Sequence, residues 1–278
     1  MSIKNKIEKI RTNLSNIDVQ LEYGILTGAN EAFILDEATA RHLIALDPKN
    51  KQIIKPILRG KDLGRYCAEF KGIYLLCAHN GVKKEGIPPV DIEKEYPSLI
   101  PYFESFGEKF RNRGEQGGTY YNLRNCAYIM KYETPKIIYA DIVQDQGKFF
   151  YDTDKYYTND TAFLITGKNL KYLVGILNSK AFTFFYKNFY CGGALGSKGL
   201  RFKRDYLMRV PIPIASPDIQ RVIISLVTSI LAERKKNHNS DTSDKEREID
   251  KIVYRLYNLT DDDVNIIEAQ DIFLDASK

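Results

Sequence analysis

The apolar positions change period several times along these 278 residues. Ile3, Ile7, Ile10 and Leu14 recur at helical spacing, which predicts a short amphipathic opening helix. Apolar or alternating runs at 19–26, 32–35, 53–58 and 72–77 are bounded by turn residues and read as strands. Between them Asp36 stands where an N-cap belongs, ahead of a helical stretch that reaches Leu46 and stops at Asp47-Pro48. Residues 98–113 read as one helix burying Leu99, Phe103, Phe106 and Phe110. A second strand group follows at 136–143, 148–151 and 162–166, then a long apolar helix from about 169 to 189. The segment "YLMRVPIPI" reads as a closing strand whose prolines suit a sheet edge.

From Ser216 the pattern is helical throughout. Ser216 caps, Pro217 takes the first helical position, and Ile219, Val222, Ile223, Leu226, Val227, Ile230 and Leu231 form one stripe. After the polar turn "NHNSDT", Ser243 and Glu246 have capping-box spacing, and Ile249, Ile252, Val253, Leu256 and Tyr257 form a second stripe. Matching stripes and a short joint predict an antiparallel helical hairpin. The expected organisation is therefore an α/β domain at 1–215, then a helical hairpin and acidic tail at 216–278. The irregular alternation of strands and helices favours an α+β fold with a mixed sheet over a doubly wound one.

Composition changes this picture little, at 44% apolar and 28% charged residues. No run approaches the roughly 18 apolar residues of a membrane span, and "MSIKNKIEKIRTN" has no apolar signal region. A cytoplasmic protein without membrane contact is expected. Cys67, Cys77, Cys126 and Cys191 are scattered and form no CxxC pair, so they read as free thiols with no metal site. Charge is more informative. The stretch 261–278 carries a net −5, so the net +5 of the whole chain leaves +10 on the first 260 residues. A basic body suits a polyanionic partner.

A search for catalytic machinery finds none. The only Pro-Pro, at Ile87-Pro88-Pro89-Val90, lacks the Asn or Asp and the aromatic residue of an amino-methyltransferase motif. Asp91, Glu93 and Lys94 fall within one turn, too tight for carboxylates that hold a nuclease metal between strands. The nearest approach to a phosphate loop, between Gly193 and Gly199, has no Ser or Thr after its lysine and follows a helix where a strand is needed. His42, His79 and His238 have no nucleophile or acid at useful spacing.

What remains is a set of polar loops. "KPILRGKDLGRY" places Arg59, Lys61 and Arg65 just past a strand, and "GSKGLRFKRDY" adds Lys198, Arg201, Lys203 and Arg204, all suited to phosphates. "GGTYYNLRNC" places Tyr120, Tyr121, Asn122, Arg124 and Asn125 on a loop opened by glycines, where Arg suits guanine and Asn suits adenine. Thr27, Gly28, Ala29 and Asn30, in "EYGILTGANEAFIL", form a further loop, with Asn30 a fifth candidate for base readout beside Tyr121, Asn122, Arg124 and Asn125.

These segments also carry a family pattern. "GILTGANEAFIL", "KPILRGKDLGRY", "YYNLRNCAYIMKYETPKIIYADI", "NDTAFLI", "YLVGILNSKAFTFFY" and "RFKRDYLMRVPIP" occur in that order. The pattern resembles the TaqI-like C-terminal specificity domain of type IIG restriction-modification enzymes and related phage-defence methyltransferases, from about Tyr23 to Ile214. The resemblance implies a target recognition domain that reads a short double-stranded DNA sequence for a methyltransferase and endonuclease upstream or in a separate subunit. It implies no cofactor in this chain, with S-adenosylmethionine and Mg2+ belonging to the catalytic parts elsewhere. The alternatives are a type I-style specificity half-subunit and a small-molecule-binding enzyme domain using the glycine-rich 191–199 segment.

Overall fold

In the computed structural model, residues 2–191 and 199–275 are described, with side chains of the last helix followed through Ala269. The fold is α+β. Its strands are β1 (Val19–Glu22), β2 (Ile34–Leu35), β3 (Ile54–Leu58), β4 (Tyr74–Leu76) and β5 (Lys136–Ala140). They continue as β6 (Ile142–Val143), β7 (Phe149–Asp152), β8 (Tyr157–Thr158), β9 (Ala162–Gly167) and β10 (Leu200–Arg201). One sheet has the order β1-β9-β5-β7 and is antiparallel throughout, with Ile137 opposite both Ile165 and Tyr151. The second, β2-β4-β3-β8, is mixed, since β3 and β8 run parallel. A two-stranded ribbon pairs β6 with β10.

β5 is buried at all five residues, as its central place requires. Its one charge is matched: Lys136 Nζ lies 2.5 Å from Asp152 Oδ2, both side chains fully buried, and also donates to the Tyr132 carbonyl. Burial would otherwise make each charge costly. Asp141 then breaks the strand. Its N–H donates to the Thr161 carbonyl and its own carbonyl accepts from Phe202 N–H at 2.7 Å, so the chain leaves the large sheet and enters the ribbon.

Two hydrophobic cores result among the described residues. One gathers the second sheet beneath the helix Glu37–Leu46 and much of 92–132, including Phe33, Phe103, Phe110 and Tyr132. The other joins the antiparallel sheet to the helices Leu170–Leu177 and Lys180–Phe185 and to those beyond residue 216. The helices Pro217–Lys236 and Ser243–Leu256 bury Ile223, Val227, Ile230, Ile249 and Val253 in that core. Their approach is close at Gly175, where an added Cβ would stand 2.7 Å from Ile223 Cγ2.

Several segments depart from their sequence pattern. The opening helix stops at Glu8, and Leu14 belongs to a separate 3-10 turn. Residues 98–113 form short helices, Ile100–Glu104 and Gly107–Arg111, parted at Gly107 with φ +67°. The long apolar helix is recapped midway, since the Ser179 hydroxyl accepts from Phe182 N–H. The expected strand at 206–214 is not one. Residues Arg204–Leu207 are helical, and Pro211 makes only an isolated bridge to Asn13. The acidic tail forms a helix, Asp261–Asp275, with Ile267 in the core.

Candidate nucleic-acid interface

The loops singled out in the sequence meet along one line of contacts. It starts at the corner made by Asp141 and Thr161. Gly60 N–H donates to Thr161 Oγ1 at 2.8 Å, and an added Cβ on Gly60 would clash with the Thr161 carbonyl, so Arg59 and Lys61 are held against this corner. Arg201 reaches the same corner through Asp141, its Nε lying 3.1 Å from Oδ2 and 3.3 Å from Oδ1. Tyr23, Asp141, Phe163, Arg201, Lys203, Arg204 and Asp205 enclose a cleft of about 220 Å³ there. Tyr23 is 47% exposed and braced edge-on by Phe163 at 5.1 Å.

The line continues through the 25–30 loop. Ile25 N–H donates to the Thr158 carbonyl and pairs with Asn159 beside the corner. The Thr27 carbonyl accepts from Arg124 N–H, and Gly28, at φ +77°, packs so closely on the Glu115 carbonyl that a Cβ would lie 2.0 Å from it. Only glycine adopts that turn without clash. The loop is internally tied, because Thr27 Oγ1 accepts from Ala29 N–H and donates to Asn30 Oδ1 at 2.7 Å. Beyond it lies a groove of about 700 Å³ whose rim includes Lys83, Lys84, Gln116, Gly118 and Asn125.

The nominated residues divide into those on this surface and those inside. Lys61, Lys203 and Arg204 are exposed and form no ion pair among the described residues. Asn125 and Asn30 are exposed, and Arg124 is exposed in an ion pair with Glu115 at 2.9 Å. Arg59 gives both Nε and Nη2 to Asp62, at 2.8 and 2.9 Å, and that carboxylate holds its guanidinium pKa up. Lys198 lies outside the described residues.

Three placements differ from the reading of the loops as surface. Tyr121 and Asn122 are buried. Tyr121 Oη donates to Glu104 Oε1, and Asn122 accepts from Thr119 while its Nδ2 donates to the Val90 carbonyl at 3.0 Å. Arg113, stacked on Phe110, donates to the carbonyls of Tyr120 and Asn122 and fixes the loop from within. These polar atoms are engaged in shaping the loop that presents Arg124 and Asn125. Arg65 turns inward too, donating to Gln146 Oε1 at 3.0 Å and to the Asn178 carbonyl at 2.8 Å and pairing with Glu246 at 2.8 Å.

Sequence reasoning missed Tyr23, Asp141, Lys83 and Lys84. The signal for the lysines was present, a Lys-Lys step inside the Gly81–Gly86 turn, which is a small hairpin closed by a Val82–Ile87 bridge. No local pattern marks Tyr23 or Asp141, because only the fold brings them beside Arg201. Among the described residues no group of three His, Cys, Asp or Glu side chains is placed to hold a metal, and no helix is long and apolar enough to cross a membrane.

Comparison with known proteins places the fold. Residues 55–212 match the TaqI-like C-terminal specificity domain. No curated protein sequence matches the chain. Among solved structures, the type IIL restriction-modification enzyme MmeI, determined in complex with DNA, is similar with a TM-score of 0.59 at 12% identity over 90% of this chain and 34% of that one. The type IIG restriction endonuclease BpuSI is similar with a TM-score of 0.52 at 13% identity over 92% of this chain and 32% of that one. The chain thus spans about a third of each of these proteins.

Proposed function

This chain belongs to the TaqI-like C-terminal specificity domain family, and from that premise we propose that it binds double-stranded DNA sequence-specifically. In this reading it positions a methyltransferase or endonuclease module, upstream in the same polypeptide or in a separate subunit. The observation that supports the reading most directly is the convergence of separate loops on the Asp141–Thr161 corner and along the 25–30 loop. Loops far apart in sequence supply exposed cations with no ion pair among the described residues at both ends of that line: Lys61, Lys203 and Arg204 at the corner, and Lys83 and Lys84 beyond Gly28. Unpaired exposed cations attract a phosphate backbone, and side chains on turns between them are placed to meet base edges. No catalytic role is proposed for this chain, and S-adenosylmethionine and Mg2+ are assigned to the catalytic parts elsewhere.

Selection of duplexes from a random library by the purified chain tests this. Enrichment of one short motif is the expected outcome, with binding that weakens steeply as salt rises. Changing Lys203 or Arg204 to Ala should weaken all duplexes alike and reduce the magnitude of the salt slope by about one each. Absence of any enriched motif together with salt-independent binding would overturn the proposal.

A further inference from the structure

We infer that Arg201 reads a guanine and that Asp141 is the residue that positions it; this rests on the DNA-binding reading above and assigns one part of that surface. From sequence alone Arg201 belongs with Lys203 and Arg204 as a phosphate contact. Its surroundings separate it from them.

The backbone of Arg201 is fixed. It lies in β10, paired with Ile142 of β6, and its carbonyl accepts from the Tyr186 hydroxyl at 2.6 Å. The neighbouring Phe202 N–H is bonded to the Asp141 carbonyl at 2.7 Å, so the arginine and its carboxylate partner are held by the same two-stranded ribbon. Asp141 takes only Nε of the guanidinium. Neither Nη1 nor Nη2 has a partner among the described residues, and the side chain is 42% exposed. The two terminal nitrogens therefore remain as a fork with its plane set by the carboxylate behind it. Two parallel N–H donors in that arrangement match O6 and N7 of guanine in the major groove.

The contrast with Arg59 supports the assignment. There the carboxylate of Asp62 takes Nε and Nη2 together and the side chain is only 27% exposed, so fewer donors are left and less of the guanidinium can be reached. Charge argues against a phosphate on Arg201. The cleft that contains it also contains Asp141 and Asp205, so an oxyanion bound to the fork would sit beside two carboxylates. The edge of a guanine carries no net charge and meets much less of that repulsion. Lys203 and Arg204, which have no carboxylate partner among the described residues, are better placed for the adjacent phosphates. Tyr23, exposed in the same cleft, gives the base an apolar flank.

The test uses the motif enriched by the parent chain and duplexes in which each guanine is replaced singly by 7-deazaguanine, which lacks the N7 acceptor. One such replacement should weaken the parent by about ten- to a hundredfold. In Arg201→Lys, which keeps the charge but loses the fork, that penalty should disappear and the selected motif should bind about ten- to a hundredfold more weakly, with thermal stability near the parent's. Asp141→Asn should shrink the penalty at the same guanine and at no other position, an effect that a merely structural corner would not produce. The inference is overturned if Arg201→Lys retains the penalty, if no guanine in the motif shows one, or if the variant weakens every duplex equally, which is the phosphate outcome. Failure of the parent chain to bind any duplex would remove the DNA reading itself and this inference with it.

Discussion

Arg65 and Arg201 sit in similar sequence settings, each near glycines and among other basic residues, yet their environments are opposite. Arg65 is 19% exposed and its guanidinium joins three separate parts of the chain: Gln146, the C-terminus of the helix Leu170–Leu177, and Glu246 on the helix Ser243–Leu256. Among the described residues Arg201 touches one carboxylate with one nitrogen, and its side chain is 42% exposed. The first arrangement closes a core and the second displays a side chain. Residue type is the same; what differs is how many of the five guanidinium donors the protein itself takes up.

The largest effect that sharpens this contrast is expected at the interior arginine. Arg65→Met leaves Glu246 without its nearest cation and removes a bond to the Asn178 carbonyl, so it should cost about 3 kcal/mol of stability, the low end for breaking a buried pair. Urea denaturation measures it. The ratio of selected to random duplex binding should be unchanged in the folded fraction. A variant as stable as the parent but weaker on DNA would mean that Arg65 belongs to the face.

What was legible in the sequence follows the same division. The stripes after Ser216 gave two helices whose bounds are close to those observed, because 3.6-residue periodicity is a local property recorded in consecutive residues. The Asp36 cap was legible for the same reason, with its carboxylate accepting from Thr39 N–H. One cap shifted: the second long helix begins at Ser243 with Thr242 as its N-cap, and Thr242 Oγ1 bonds to Glu246. The expected strand at 206–214 failed because its buried hydrophobics, Leu207, Val210 and Ile212, are held by tertiary packing, with only an isolated bridge from Pro211 to Asn13. At the site, the loops were legible and the direction of each side chain was not. Nothing between Tyr120 and Asn125 states that Asn122 is held by the carbonyls of Ala78, His79 and Val90, which lie more than thirty positions upstream.

A second measurement probes how the interior arginine is set. Asp250 is buried beside it, accepting from Lys180 N–H at 2.9 Å, and desolvation pushes its carboxyl up to about 7, with Arg65 and Lys180 opposing that rise. Because the folded value lies above the unfolded one near 3.8, its contribution to stability is fully present below about pH 4 and is lost as pH rises through 7. Asp250→Asn keeps the acceptor and removes the ionisation. The variant should therefore gain on the parent as pH rises from 5 to 8, by on the order of 2 kcal/mol. A difference between variant and parent that stays constant over this range would show that Asp250 is ionised throughout.

The smallest effect is expected at Arg124, which tests whether an ion pair alone makes an arginine structural. Its partner Glu115 is 2.9 Å away, but the two side chains are 45% and 57% exposed, so water screens the pair and long side chains must be ordered to hold it. The loop does not depend on that pair. Gly28 against the Glu115 carbonyl, the Arg124 N–H bond to Thr27, and Arg113 beneath Tyr120 and Asn122 all fix the backbone without the Arg124 guanidinium. Arg124→Ala should accordingly cost less than about 1 kcal/mol of stability. On DNA its effect should be selective, lowering affinity for the selected duplex while random duplex binding changes little, because a side chain that meets a base edge contributes mainly to preference. Denaturation and duplex competition measured on the same preparation distinguish the outcomes. A stability loss as large as that of Arg65→Met, with the duplex preference intact, would place Arg124 with the interior arginines and remove it from the face.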